Sequence, residues 1–190
     1  MNTDNKFIST IKTLHPSNNA INILRDITNI PFFVYTLPKT GTSTLSLSLQ
    51  KMINNNEIYE HVVHCHNENC WKRIFKLDFD FDLMTLIKHQ KRKPIIFQLS
   101  RNPIERLISL YFHVMRNKIN TCSYNGLLQF IKSQRNTCNY EYYEKKFDVQ
   151  LKNLTFCHKT KHCIIEKDEF ILFYMKVEDF HHHLEKNVRT

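Results

Sequence analysis

With 190 residues, 42% hydrophobic, the chain is long enough for one domain with a real core and too apolar to remain disordered. Its net charge of +9 draws anions, whether a nucleotide, a sulfated glycan, nucleic acid or an acidic membrane surface. No run approaches the roughly 20 apolar residues that cross a bilayer, and the first residues, Met1 to Lys6, lack the layout of a signal peptide. The expectation is a soluble, cytoplasmic protein whose six cysteines stay reduced.

Residues 1–29 are polar and mixed, a lead-in that suits a short helix. Pro31 to Leu37 is apolar and β-prone, and reads as the first strand. Next comes Pro38-Lys39-Thr40-Gly41-Thr42-Ser43-Thr44, which holds one of the only two glycines in the chain. Leu45 to Met52 then continues as a helix. Strand, tight turn and helix place backbone N–H groups at a helix N-terminus around an anion. Lys39 and the hydroxyls of Thr40, Thr42, Ser43 and Thr44 add to them, which makes a phosphate- or sulfate-binding loop. The plainer reading of the same residues is a helix cap. A Walker loop would carry its lysine after a second glycine, and here Lys39 precedes Gly41.

Ile58 to His64 reads as a second strand, Phe79 to Lys88 as a helix, and Pro94 to Ser100 as a third, nearly continuous apolar strand of the kind buried in parallel sheets. Pro103 fits the first turn of the next helix with Asn102 as its cap. Ile104, Leu107, Ile108, Tyr111 and Phe112 share a face of that helix. Arg101 falls at the C-terminal end of the third strand, where ligands of parallel sheets bind, and Ser109 lies two turns into the helix. The pair suits a second phosphate. Arg106 reads as a structural residue on a solvated face, pairing with Glu105 or another acid. Asn117 to Asn153 holds further helices, and Tyr140, Tyr142, Tyr143 and Phe147 read as core or rim packing. Phe170 to Val177 is the last strand, with a short helix opening near Asp179. Alternating strands and helices give an α/β layered fold with a mainly parallel sheet.

His64-Cys65-His66 follows the second strand, and an imidazole, whose ordinary pKa is about 6.5, suits removal of a proton near neutral pH. The same segment with Cys70 admits a zinc reading, but its spacing is poor. Cys157 to Cys163 has the better composition for zinc, yet its spacing matches no standard module, and the expectation is that no metal binds. His181, His182 and His183 read as a helix surface.

The loop PKTGTST followed by RNPIERLISLY resembles the sulfotransferases that use 3′-phosphoadenosine 5′-phosphosulfate (PAPS). The resemblance is nearest to carbohydrate enzymes of the heparan sulfate 2-O type and related capsular-polysaccharide proteins, over roughly residues 31–115. It implies a single sulfotransferase-like domain over residues 1–190, with a P-loop-like three-layer fold and a mainly parallel central sheet flanked by helices. On it, Lys39, Thr40, Gly41, Thr42, Ser43 and Thr44 hold the phosphosulfate, and Arg101 and Ser109 hold the 3′-phosphate. His66, with His64 beside it, falls on the catalytic base of the family's His-x-His. The product would be adenosine 3′,5′-bisphosphate, and the acceptor a molecule with a free hydroxyl, most simply a glycan, with no nucleic acid and no membrane span. Relatives carry more chain beyond the last matched strand than this sequence, which ends at Thr190. A more open nucleotide site, or completion by a second subunit in a homo-oligomer, is the corresponding expectation. Two other classes stand beside this one: an ATP-dependent P-loop-like kinase, and a non-catalytic module that binds a nucleotide or polyanion.

Overall fold

Phe32–Tyr35, the first strand β1, is aromatic and β-branched, and three of its four residues are buried. It is an inner strand: β2 (Val62–Cys65) pairs with it in parallel on one side and β3 (Ile95–Ser100) on the other. The computed structural model describes residues 28–55, 62–66, 82–134, 140–154 and 162–177. These divide into two compact units. The first takes its described residues from Met1–Thr36, Thr42–Gln98 and Ile164–Tyr174, and the second from Leu37–Gly41, Leu99–Cys163 and Met175–Thr190.

The five-stranded sheet runs β2-β1-β3-β5-β4, with β4 at His162–Glu166 and β5 at Ile171–Lys176. It is mixed but mostly parallel, and with its helices gives an α/β fold. The turn at 167–170, closed by Lys167 N–H donating to the Phe170 carbonyl at 2.9 Å, joins neighbouring strands and so makes β4 and β5 antiparallel. In the first unit, α1 (Thr42–Asn55) follows β1, and α2 (Leu83–Lys88) precedes β3. Asp82 caps α2 by accepting from the Met84 N–H at 3.1 Å. Phe33, Val34, Tyr35, Leu83, Leu86, Ile96 and Leu172 form the core there.

The second unit carries α3 (Pro103–Met115), a 3₁₀ turn (Arg116–Thr121), α4 (Tyr124–Ser133) and α5 (Tyr140–Phe147). Asn102 caps α3 as expected, accepting from the Ile104 and Glu105 N–H groups, with Pro103 in the first turn. Tyr111, Tyr143 and Phe147 are buried, while Tyr142 sits at the rim.

Three expectations change. Of the strand read at Ile58 to His64, residues 58–61 lie outside the described residues, and β2 runs one residue further, to Cys65, because the parallel register pairs Val34 with His64 and Tyr35 with Cys65; His64 therefore lies inside β2. The apolar face of α3 packs only along Leu107 and Tyr111, leaving Ile104 and Phe112 about half exposed. Arg106 is buried beside that stripe rather than solvated, and Glu105 pairs with Arg101 instead. The strand β4 lacks clean alternation at a sheet edge and was not legible; its last residue is tied by the 2.7 Å ion pair of Glu166 with Lys93. The helical lead-in, Phe79, Cys70, the Cys157 end of the cysteine pair, Asp179 and the histidines at 181–183 lie outside the described residues.

Candidate functional site

A strand order in which β2 and β3 flank β1 reverses the winding of the sheet at β1 and β3. Ligands of open α/β sheets bind beyond the C-terminal ends of such strands. The segments leaving those two ends are Leu37 to Gly41 and Arg101-Asn102.

Lys39 takes φ 67° and Gly41 φ 77°, with Thr40 between them on the negative side. Alternating the sign of φ over consecutive residues turns successive N–H groups toward one concavity, the backbone form of an anion nest. Glycine accepts this at position 41 without cost, while lysine at 39 is held in a region that side chains avoid, by roughly 1–2 kcal/mol. A Cβ at Gly41 would stand 3.5 Å from Val177 Cγ1, ordinary contact, so conformation and not space is what asks for glycine there. The Thr40 hydroxyl donates to the Leu37 carbonyl at 2.7 Å and closes the turn. Its hydrogen is thus committed, and what Thr40 offers an anion is its amide.

Arg101, directly after β3, donates from Nη1 to the Lys39 carbonyl at 3.4 Å. Its Nε lies 3.6 Å from Glu105 Oε2, one helical turn on. Adjacent parallel strands explain the meeting: with Val34 beside Phe97, β3 runs on past the end of β1 to Ser100, so Arg101 comes level with the chain leaving β1. The guanidinium therefore lies on the Lys39 turn itself, closer than two separated phosphate pockets would require. Ser109 is half-buried on α3, and its hydroxyl bonds to none of the described residues; nor does the Lys39 ammonium. Of the candidate anion-site residues, the fold brings Lys39 and Arg101 into contact.

In the first unit, Thr42 opens α1 and is buried, with Ser43 and Thr44 exposed in the same turn. No acidic side chain stands in that turn, so nothing in the sequence offsets the positive end of the helix dipole. His66 Nδ1 lies 2.9 Å from the Thr36 carbonyl. A carbonyl only accepts, so Nδ1 carries the hydrogen and the neutral ring keeps its lone pair on Nε2. His64, two residues earlier on the same strand face, stands edge-on to it with ring centroids 4.6 Å apart. Burial, and second the charge of His66, lower the His64 pKa to about 4, so near neutral pH His64 is uncharged. Its Nε2 is buried and bonds to none of the described residues. Among the described residues no group of three or more His, Cys, Asp or Glu side chains converges as a metal would need.

No protein-family model, curated protein or solved structure matches the chain. Geometry and sequence carry the functional reading by themselves. Sequence reasoning singled out Lys39, Arg101 and His66 from their motifs, but not the Thr36 carbonyl that His66 meets, which no residue type encodes.

Proposed function

We propose that the chain is a PAPS-dependent sulfotransferase with a P-loop-like fold, moving a sulfuryl group to a hydroxyl on an acceptor, most simply a glycan. The observation that supports this reading is the alternating-φ nest beyond β1 with the Arg101 guanidinium lying against it, a grouping of amides and cations suited to the anionic oxygens of a nucleotide. The donor set fits PAPS: backbone amides of the turn, the Lys39 ammonium, the Arg101 guanidinium and the Ser109 hydroxyl, all suited to anionic oxygens. PAPS supplies the activated sulfuryl group.

The roles then follow from the chemistry of each side chain. His66 accepts the acceptor's hydroxyl proton on Nε2, the nitrogen that the Thr36 contact leaves unprotonated. His64, uncharged, adds no positive charge beside the ring that must take up that proton. The Lys39 ammonium and the amides of Thr40 and Gly41 would stabilise the negative charge left on the departing phosphate. Such preorganised donors are usually the largest catalytic contribution, and losing Lys39 should lower kcat by roughly 10²–10³. Arg101 and Ser109 hold the 3′-phosphate, which ATP lacks.

Thermal-shift titration with adenosine 3′,5′-bisphosphate, and separately with ATP and magnesium, tests this on wild type and Arg101→Ala. The expected result is selective stabilisation by the bisphosphate, lost in Arg101→Ala. His66→Ala should abolish sulfuryl transfer from PAPS while leaving that stabilisation intact. Preference for ATP with magnesium would mark a kinase, and stabilisation without any turnover a nucleotide-binding module.

A further inference from the structure

Between Glu105 and Glu141 the sequence contains no acidic residue, the longest such interval in the chain. It contains Arg106, Arg116, Lys118, Lys132 and Arg135. Within it, the second unit exposes Phe112 (49%), Val114 (60%), Ile119 (64%) and Tyr124 (73%), on the end of α3, the 3₁₀ turn and the start of α4. His113, Arg116 and Lys118 stand exposed among them, and no described carboxylate pairs with any of the three. Single exposed apolar residues are unremarkable, but a run of them interleaved with the unpaired charges of Arg116 and Lys118 is not.

We propose that this surface, residues 112–124, binds the anionic face of a phospholipid membrane. The interleaving decides the occupant. At a bilayer surface, cations lie at the level of the phosphates while aromatic and aliphatic side chains enter the acyl boundary a few ångströms deeper, so both kinds are satisfied together. An acidic polysaccharide would pair with Arg116 and Lys118 but has no use for Phe112, Val114 and Ile119. A second copy of the chain would bring like charges together. No helix among the described residues is long and apolar enough to span a bilayer, so the association is peripheral. It is independent of the anion turn at Lys39 and of the reaction proposed there.

Co-sedimentation of the full chain with phosphatidylcholine vesicles, and with phosphatidylcholine–phosphatidylserine vesicles, tests the proposal. Binding is expected only to the second, weakening as salt rises. Arg116→Gln or Lys118→Gln should each lower the partition coefficient about fivefold. Phe112→Ser with Ile119→Ser, which leaves the charge unchanged, should lower it at least tenfold. These side chains are exposed, and an unchanged Tm verifies that the variants fold. Vesicle binding that ignores the apolar substitutions would overturn the proposal, as would absence of vesicle binding. If dextran sulfate bound instead, equally to wild type and the Ser variant, the surface would be a polyanion site.

Discussion

Lys39 is the residue at which conformation and chemistry disagree. Its φ of 67° suits glycine, and the lysine side chain is what the anion reading needs there. Backbone strain retained against an easy alternative is a mark of functional positions. Two substitutions separate the contributions. Lys39→Ala removes the ammonium and keeps the strain, whereas Lys39→Gly removes both. Urea unfolding should find the glycine variant more stable than the alanine variant by about 1 kcal/mol, and both should lose affinity for adenosine 3′,5′-bisphosphate. Equal stabilities would mean that the turn is not left-handed at residue 39 in solution. The motif around this lysine was legible because hydroxyls, a cation and a rare glycine are unusual together. Its exact partners were not, since the Lys39 carbonyl and the Leu37 carbonyl carry no side-chain signature.

At the scale of elements, α4 begins with a close approach. Ser123 caps it through Oγ, accepting from the Gly126 N–H at 3.0 Å, and the hydroxyl of buried Tyr111 on α3 packs against the same glycine. A Cβ at Gly126 would come within 2.9 Å of that hydroxyl and 3.1 Å of Ser123 Oγ. Gly126→Ala should therefore destabilise by about 1–2 kcal/mol, although alanine is the better helix former. In a Tyr111→Phe background the nearer oxygen is gone and only the Ser123 Oγ approach remains, so the same substitution should cost clearly less. A double-mutant cycle reads that coupling directly; additivity would show that the hydroxyl is not the obstacle. Elements with strong local signals matched their reading: β1 and β3 from continuous apolar runs, α3 from its Asn-Pro start. The edge strand β4 escaped because its sequence, HCIIE, does not alternate apolar with polar residues and places Ile164 on the exposed side, so pairing with β5 rather than any local pattern makes it a strand. The exposed Phe112 and Ile104 escaped for the opposite reason: periodicity shows which residues share a face, and only tertiary packing decides how much of that face is covered.

For the whole molecule, His64 links stability to pH. Its pKa in the fold is about 4, against an ordinary 6.5 in the unfolded chain. Between those values the unfolded chain binds a proton that the folded one refuses, so stability falls as pH drops through that window and levels below it. Tm followed from neutral pH downward should show the decline, and His64→Asn should flatten part of it; an unaltered slope in the variant would place the acid sensitivity elsewhere. Beside His64, the imidazole of His66 is oriented by the main chain at residue 36, whose N–H also reaches the Cys65 carbonyl at 3.2 Å. Scanning with alanine weighs side chains, so it would score Thr36 for its buried methyl and hydroxyl and stay blind to that grip. Only editing the polymer, by an ester linkage following residue 36, would weaken the oxygen that steers the ring, and a catalogue of tolerated substitutions there would say nothing about whether proton transfer depends on it.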